Sequence, residues 1–142
     1  MGVPTVFKNQ SDIGQYGEAQ FTVTWSAADS DELESEVLID LSALSGGLLE
    51  PHLGVREIQW TAAESMQADV FYDSLPADAD TNVITIPTGA TEGSVDFKNG
   101  ATSHDRKDKN TLGGDLVVST QDALPGDTLW IRVLFKVHGK TE

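Results

Sequence analysis

Three kinds of residue in this chain could do chemistry, and each lacks a part it needs. Ser103-His104-Asp105 spells the members of a catalytic triad. A triad, however, is assembled by the fold from distant residues, and neighbours on an extended chain point in different directions. No Gly-x-Ser-x-Gly elbow accompanies it, so the stretch reads as a solvated loop. Asp78-Ala79-Asp80-Thr81-Asn82 spaces its oxygens like the first half of a calcium loop, where alternating ligands converge on a hard cation. Val83 then stands where the turn glycine belongs and Gly89 where the bidentate glutamate belongs, which leaves an exposed acidic loop. His52, His104 and His138 lack the His-x-x-x-His spacing with which one helix face grips a metal. The glycines form neither a Gly-x-Gly-x-x-Gly nor a Walker pattern. The residues assign no catalytic group, no metal and no cofactor, and the chain reads as a protein that is not an enzyme.

Composition narrows the partners. The chain has 142 residues, with 9 basic against 23 acidic side chains and a formal charge of −14. That balance works against nucleic acid, whose binding rests on phosphate neutralisation by Lys and Arg, and against anionic membrane surfaces. It favours solubility. There are no cysteines, so disulfides, thiolate metal sites and cysteine nucleophiles drop out together. A single domain of this length buries roughly 68–70% of its unfolded surface and needs no staple. The N-terminus, Met1 to Lys8, lacks a basic region followed by an apolar run, and no apolar stretch approaches the roughly 20 residues that span a bilayer. Asn9-Gln10-Ser11 matches a glycosylation sequon, which matters only to a secreted chain.

The aromatic residues are the more informative group. Trp25 and Trp60 fall in the apolar rows of alternating stretches and are expected in the core. Trp130 falls in a mixed row with Arg132, Leu134, Lys136 and His138, opposite the apolar row Leu129, Ile131, Val133, Phe135 and Val137. If the apolar row faces the core, Trp130 and Leu134 face outward or into a partner; a loop folded over Trp130 is the alternative. Trp and Arg are enriched at interface hot spots.

The elements that position these residues are strands. Residues 1–17 read as an N-terminal arm, and 18–142 as a single β-sandwich domain. Alternation places strands at 18–27, 35–41, 55–63, 68–73, 83–87, 94–98, 115–120 and 128–138, with 42–54, 75–82 and 99–114 as loops. The last of these strands carries the longest apolar row and is expected at the centre. Pro125-Gly126 is turn chemistry, with proline presetting φ and glycine accepting φ > 0. About eight short strands without a helix of useful length predict an all-β antiparallel sandwich, jelly-roll-like.

The C-terminal pattern adds a resemblance. Gly114-Asp115-Leu-Val-Val-Ser-Thr120, a short turn, and Gly126-Asp-Thr-Leu-Trp-Ile-Arg-Val-Leu-Phe-Lys136 resemble the ending of small virion proteins of tailed bacteriophages, of the capsid decoration (cement) type. Ser94-Val-Asp-Phe97 and Leu112-Gly-Gly114 resemble the same group, so the match covers roughly residues 94–138. The resemblance implies a jelly-roll-like sandwich on the outside of a capsid, clamping neighbouring major capsid protein subunits, commonly as a homotrimer, and made in the host cytoplasm. Candidate partner-binding residues are then Trp130, Arg132 and Leu134 on the last strand and Val6 and Phe7 in the arm. The alternatives are a non-catalytic carbohydrate-binding module, which would stack sugars on Trp130, Trp60 or Tyr72, and another head or tail component. Two coplanar aromatics in a groove would favour sugar; an aromatic on a flat patch would favour assembly.

Overall fold

Alternating β-branched and aromatic residues build nine strands in a computed structural model that describes residues 4–13, 16–26, 31–40, 49–72, 82–96 and 115–140, with backbone alone at 12–13, 16, 49–53, 72, 82 and 137–140. They are β1 (Thr5–Ile13), β2 (Tyr16–Thr24), β3 (Glu36–Ile39), β4 (Leu49–Ala62), β5 (Gln67–Tyr72), β6 (Asn82–Ile86), β7 (Glu92–Asp96), β8 (Leu116–Gln121) and β9 (Thr128–Lys140). No helix occurs among the described residues. One sheet has the order β1-β2-β9-β4-β7 and the other β3-β8-β5-β6, with every pairing antiparallel. The pairs β2·β9, β3·β8, β4·β7 and β5·β6 nest inside one another, as in a long ribbon folded across two layers. That nesting is the jelly roll. The expected all-β sandwich is what forms, with one strand more than the alternation gave.

The extra strand is β1. Instead of leaving the domain as an arm, residues Thr5–Ile13 pair with β2 over an unbroken register from Thr5↔Thr24 to Ile13↔Tyr16. Its inward row is Val6, Lys8 and Gln10, which lacks the apolar repeat that marks a strand in sequence. Those polar side chains are satisfied by β3 of the other sheet. Lys8 Nζ donates to Glu36 Oε2 at 3.1 Å and to the Val37 carbonyl at 3.0 Å. Gln10 bonds the backbone of Asp40. β4 also begins earlier than expected: 49–54, read as loop, pair with the end of β9, because β9 runs on to Lys140 and offers them a partner.

The core lies between the sheets. Ala19, Phe21 and Val23 of β2, Val55, Ile58 and Trp60 of β4, and Leu129, Ile131, Val133 and Phe135 of β9 pack against Leu38, Ile39, Ala68, Val70, Ile86, Leu116 and Val118. A register shift between Val55 and Glu57 opposite β9 inserts Arg56 as an extra residue. This bulge resets the alternation, so that Val55, Ile58 and Trp60 all face inward. β9 is the middle strand of its sheet, as its apolar row predicts. Trp25 is fully buried just beyond β2, and its indole N–H donates to the Asp31 carbonyl at 2.8 Å.

Four connections are tied together at one end of the sandwich. Pro125-Gly126 makes the expected turn: Gly126 has φ 90°, and the Asp127 N–H donates to the Leu124 carbonyl at 3.0 Å. Gly126 N–H donates to Trp25 O, and Trp25 N–H to Asp127 O. The Gly89 N–H donates to Glu64 O. This end holds the strand order that sets up the outer face of the five-stranded sheet.

Candidate functional site on the outer face of the five-stranded sheet

Residues directly opposite in antiparallel strands share a face, so the register lists the outer face lane by lane. One lane runs Phe7, Thr22, Trp130, Thr61, Glu92. The next runs Asn9, Gln20, Arg132, Gln59, Ser94, and a third runs Ser11, Glu18, Leu134, Glu57, Asp96. Phe7 is 71% exposed, the largest exposure of any bulky apolar side chain described. Trp130 and Leu134 are half-buried between their neighbours, while Asn9, Gln20, Thr61 and Ser94 are exposed. Phe7 and Trp130 stand two strand spacings apart, about 10 Å, with the small Thr22 between them.

Arg132 organises the centre of this face. Its Nε donates to Glu18 Oε2 at 2.6 Å and its Nη1 to Gln59 Oε1 at 3.2 Å. Gln20 Nε2 also donates to Glu18 Oε2 (3.2 Å), and Gln59 Nε2 to Glu57 Oε2 (3.1 Å). The network crosses β2, β9 and β4. The Arg132 bond, with help from Gln20, holds the Glu18 carboxyl below its usual range. A guanidinium fixed in this way between two amide-bearing strands ties β2, β9 and β4 together across the face.

Of the residues singled out in sequence, Phe7, Trp130, Arg132 and Leu134 lie on this one face. Val6 does not: it points between the sheets and packs against the core, because its neighbour Phe7 takes the outward position. Trp25 and Trp60 are core residues, as expected. Asp78 and Asp80 of the calcium-like stretch and the Ser103-His104-Asp105 stretch lie outside the described residues, as do the side chains of His52, Tyr72, Asn82 and His138. Among the described residues no three His, Asp or Glu side chains are grouped to hold a metal ion. Nor, among those residues, is any helix long and apolar enough to cross a membrane.

Sequence reading missed two features. Gln20, Gln59 and Glu18 carry no motif, and only the pairing of β2 and β4 with β9 brings them to Arg132. An open cleft of about 950 Å³ lies beside β8, lined by Asp31, Glu32, Leu33, Glu34, Ser35, Ser119 and Thr120. Thr120 and Glu32 within it are already engaged: the Thr120 hydroxyl accepts the Leu33 N–H at 2.9 Å and donates to Glu32 Oε1 at 2.7 Å, and Glu32 Oε2 accepts the Ala123 N–H at 3.0 Å.

No protein-family model matches the chain, and no curated protein does. Among solved structures it is similar to a family 29 carbohydrate-binding module, with 12% identity over 97% of this chain and 79% of that one and a TM-score of 0.32. A mutant of such a module complexed with cellulohexaose gives 12% identity over 97% and 81%, again with a TM-score of 0.32. One complexed with mannohexaose gives 12% over 97% and 82%, with a TM-score of 0.31. Overlap this low carries no argument about what the chain does.

Proposed function

We propose that this chain is a structural virion protein of a tailed bacteriophage, bound on the outside of the capsid, where it stabilises contacts between major capsid subunits. The observation that carries the reading is the outer face of the five-stranded sheet, on which Phe7 and Trp130 share one lane and Leu134 lies two lanes along, beyond Arg132. A mixed polar and apolar sheet face with an exposed aromatic at one side suits a broad protein partner better than a small substrate. Two further points support it. The sequence resemblance over residues 94–138 leads to capsid decoration proteins, and jelly rolls are used by viral capsid domains, a fold-level analogy. Phe7, Trp130 and Leu134 make the contact, and Arg132 ties β2, β9 and β4 together beneath it through Glu18 and Gln59. Binding works through buried area and shape, with no bond made or broken.

The test is co-sedimentation with shells assembled from the major capsid protein of the same virus. Wild-type chain is expected to travel with the shells, and Phe7→Ala with Trp130→Ala to remain in the supernatant while keeping its circular dichroism. A folded wild-type chain that never travels with shells overturns the reading.

A second reading, a non-catalytic carbohydrate-binding module, is favoured by one observation: Phe7 and Trp130 share a lane, separated by Thr22. Aromatic faces at that separation can stack on two rings of one extended glycan, with Gln20 and Gln59 hydrogen bonding the hydroxyls. Retarded migration in gels containing neutral polysaccharide, abolished by Trp130→Ala, would establish it. The same mobility with and without polysaccharide removes it.

A further inference from the structure

The sandwich has four strand edges, and they are not alike. β3 has 4 residues and a register shift against β8; β6 has 5 residues and a shift in its pairing with β5. β7 has 5 residues, with Glu92 and Asp96 at its ends and Gly93 within. Short length, bulges and charge are the devices by which proteins protect sheet edges from pairing. β1 is neither short nor bulged, and its charges are Lys8 and Asp12. It runs for 9 residues with an unbroken register and no proline inside it. Its one lysine, Lys8, turns inward, and its charge is already paired with Glu36 and the Val37 carbonyl. Gln10 fixes the strand against Asp40, so the edge is held in place before any partner arrives. Its far side pairs with no other strand among the described residues.

We infer that β1 pairs with β1 of a second copy, joining two five-stranded sheets into one continuous sheet about a two-fold axis. Charge points to another copy of the chain. In a molecule of net charge −14, the stretch 5–13 contains one Lys and one Asp and is neutral, so two such strands meet without a net charge of their own to repel. Opposed side chains must share a face, which restricts a two-fold pairing to registers centred on a residue. Centring on Lys8 would set two like charges opposite each other, which is unfavourable. Centring on Asn9 overlaps the whole strand: Asn9 faces Asn9, Lys8 faces Gln10, Phe7 faces Ser11 and Val6 faces Asp12. Phe7, the most exposed bulky apolar side chain described, then gains a neighbour across the junction. An isologous contact of this kind closes at two copies, in place of the three-fold association that the phage resemblance implies. A head-to-tail ring would instead have to join β1 to the short, acidic β7. The contact is a property of the isolated chain and does not depend on the capsid reading.

The chain contains no cysteine, so Asn9→Cys is a clean reporter. Directly opposed Cβ atoms lie about 4.5–5.5 Å apart, close enough to disulfide geometry for a small adjustment to bridge them. Under mild oxidation Asn9→Cys is expected to become a covalent dimer in high yield. Ser94→Cys, on the far edge of the same face, is expected to stay largely monomeric. Light scattering of the wild type should give twice 15.2 kDa, and Asn9→Lys or Phe7→Lys should weaken the dimer tenfold or more without changing circular dichroism, since both side chains are exposed. A wild-type chain that stays monomeric at the highest attainable concentration overturns the inference. So does a dimer or trimer that Asn9→Lys leaves intact, or one in which Asn9→Cys cross-links no faster than Ser94→Cys.

Discussion

The side chain of Gln10 pairs with the backbone of Asp40 as a strand residue would: Nε2 donates to the Asp40 carbonyl at 3.0 Å, and Oε1 accepts the Asp40 N–H at 2.8 Å. Gln10 lies in β1 and Asp40 directly follows β3 of the other sheet, and their contact links the two layers between β1 and β3. It also removes two polar groups at the end of β3 from the list of unmet donors and acceptors.

Gln10→Ala breaks both bonds while removing little apolar packing. Part-buried backbone groups left unpaired cost about 1–3 kcal/mol, so the unfolding free energy in urea should fall by that amount, seen as a lower midpoint at constant slope. Hydrogen exchange of the β1 amides should accelerate more than that of β9. Equal acceleration throughout would mean that β1 does not depend on this contact.

Gly93 lies directly opposite Trp60, and the indole occupies the space a side chain would need. A Cβ placed on Gly93 would come within 2.5 Å of Trp60 Cζ2. Gly93→Ala therefore forces the ring to move and strains the bond from Trp60 Nε1 to the Ala90 carbonyl, now 3.1 Å. Overpacking of this kind costs about 1–3 kcal/mol. The check is a lower melting temperature together with a change in tryptophan emission; an unchanged melt would mean that the ring has room to swing aside.

Trp25 and Trp130 should separate stability from binding. Trp25 is fully buried, and Trp25→Ala is expected to cost about 3–5 kcal/mol in chemical denaturation, with its bond to Asp31 lost as well. Trp130 sits half-buried on the outer face, so Trp130→Ala should cost less than half as much and act on association with shells or glycan. Comparable losses of stability in both variants would place Trp130 in the core energetics and weaken the outer face as a contact surface.

Glu18 gives a pH dependence with a definite sign. Its hydrogen bond from Arg132 holds the folded-state pKa below the ordinary value of 4.5. The stabilisation is therefore present above that value and is lost as pH falls through the depressed folded pKa. Both partners keep about a third of their side-chain surface in water, 31% for Arg132 and 36% for Glu18, so screening limits the effect to about 0.2–1 kcal/mol. Glu18→Gln should destabilise slightly at neutral pH and not at all at the acid end, and the gap should shrink in high salt. A gap that is constant with pH would show that the ion pair contributes nothing.

The sequence alone determined the all-β class, the inward rows of β2, β4 and β9, the burial of Trp25 and Trp60, the central place of β9 and the turn at Pro125-Gly126. Each rests on local physics: a period of two sorts side chains onto faces, burial selects the apolar face, and proline with glycine fixes two dihedrals. The tertiary structure decided what those rules do not reach. β1 is a strand although its inward residues include Lys8 and Gln10, because β3, nearly thirty residues away, supplies their partners. Phe7, Trp130, Gln20 and Gln59 form one face because β9 inserts between β2 and β4. Strand pairing is set by contacts far apart in the chain, and no residue carries a local sign of which strand it will lie beside.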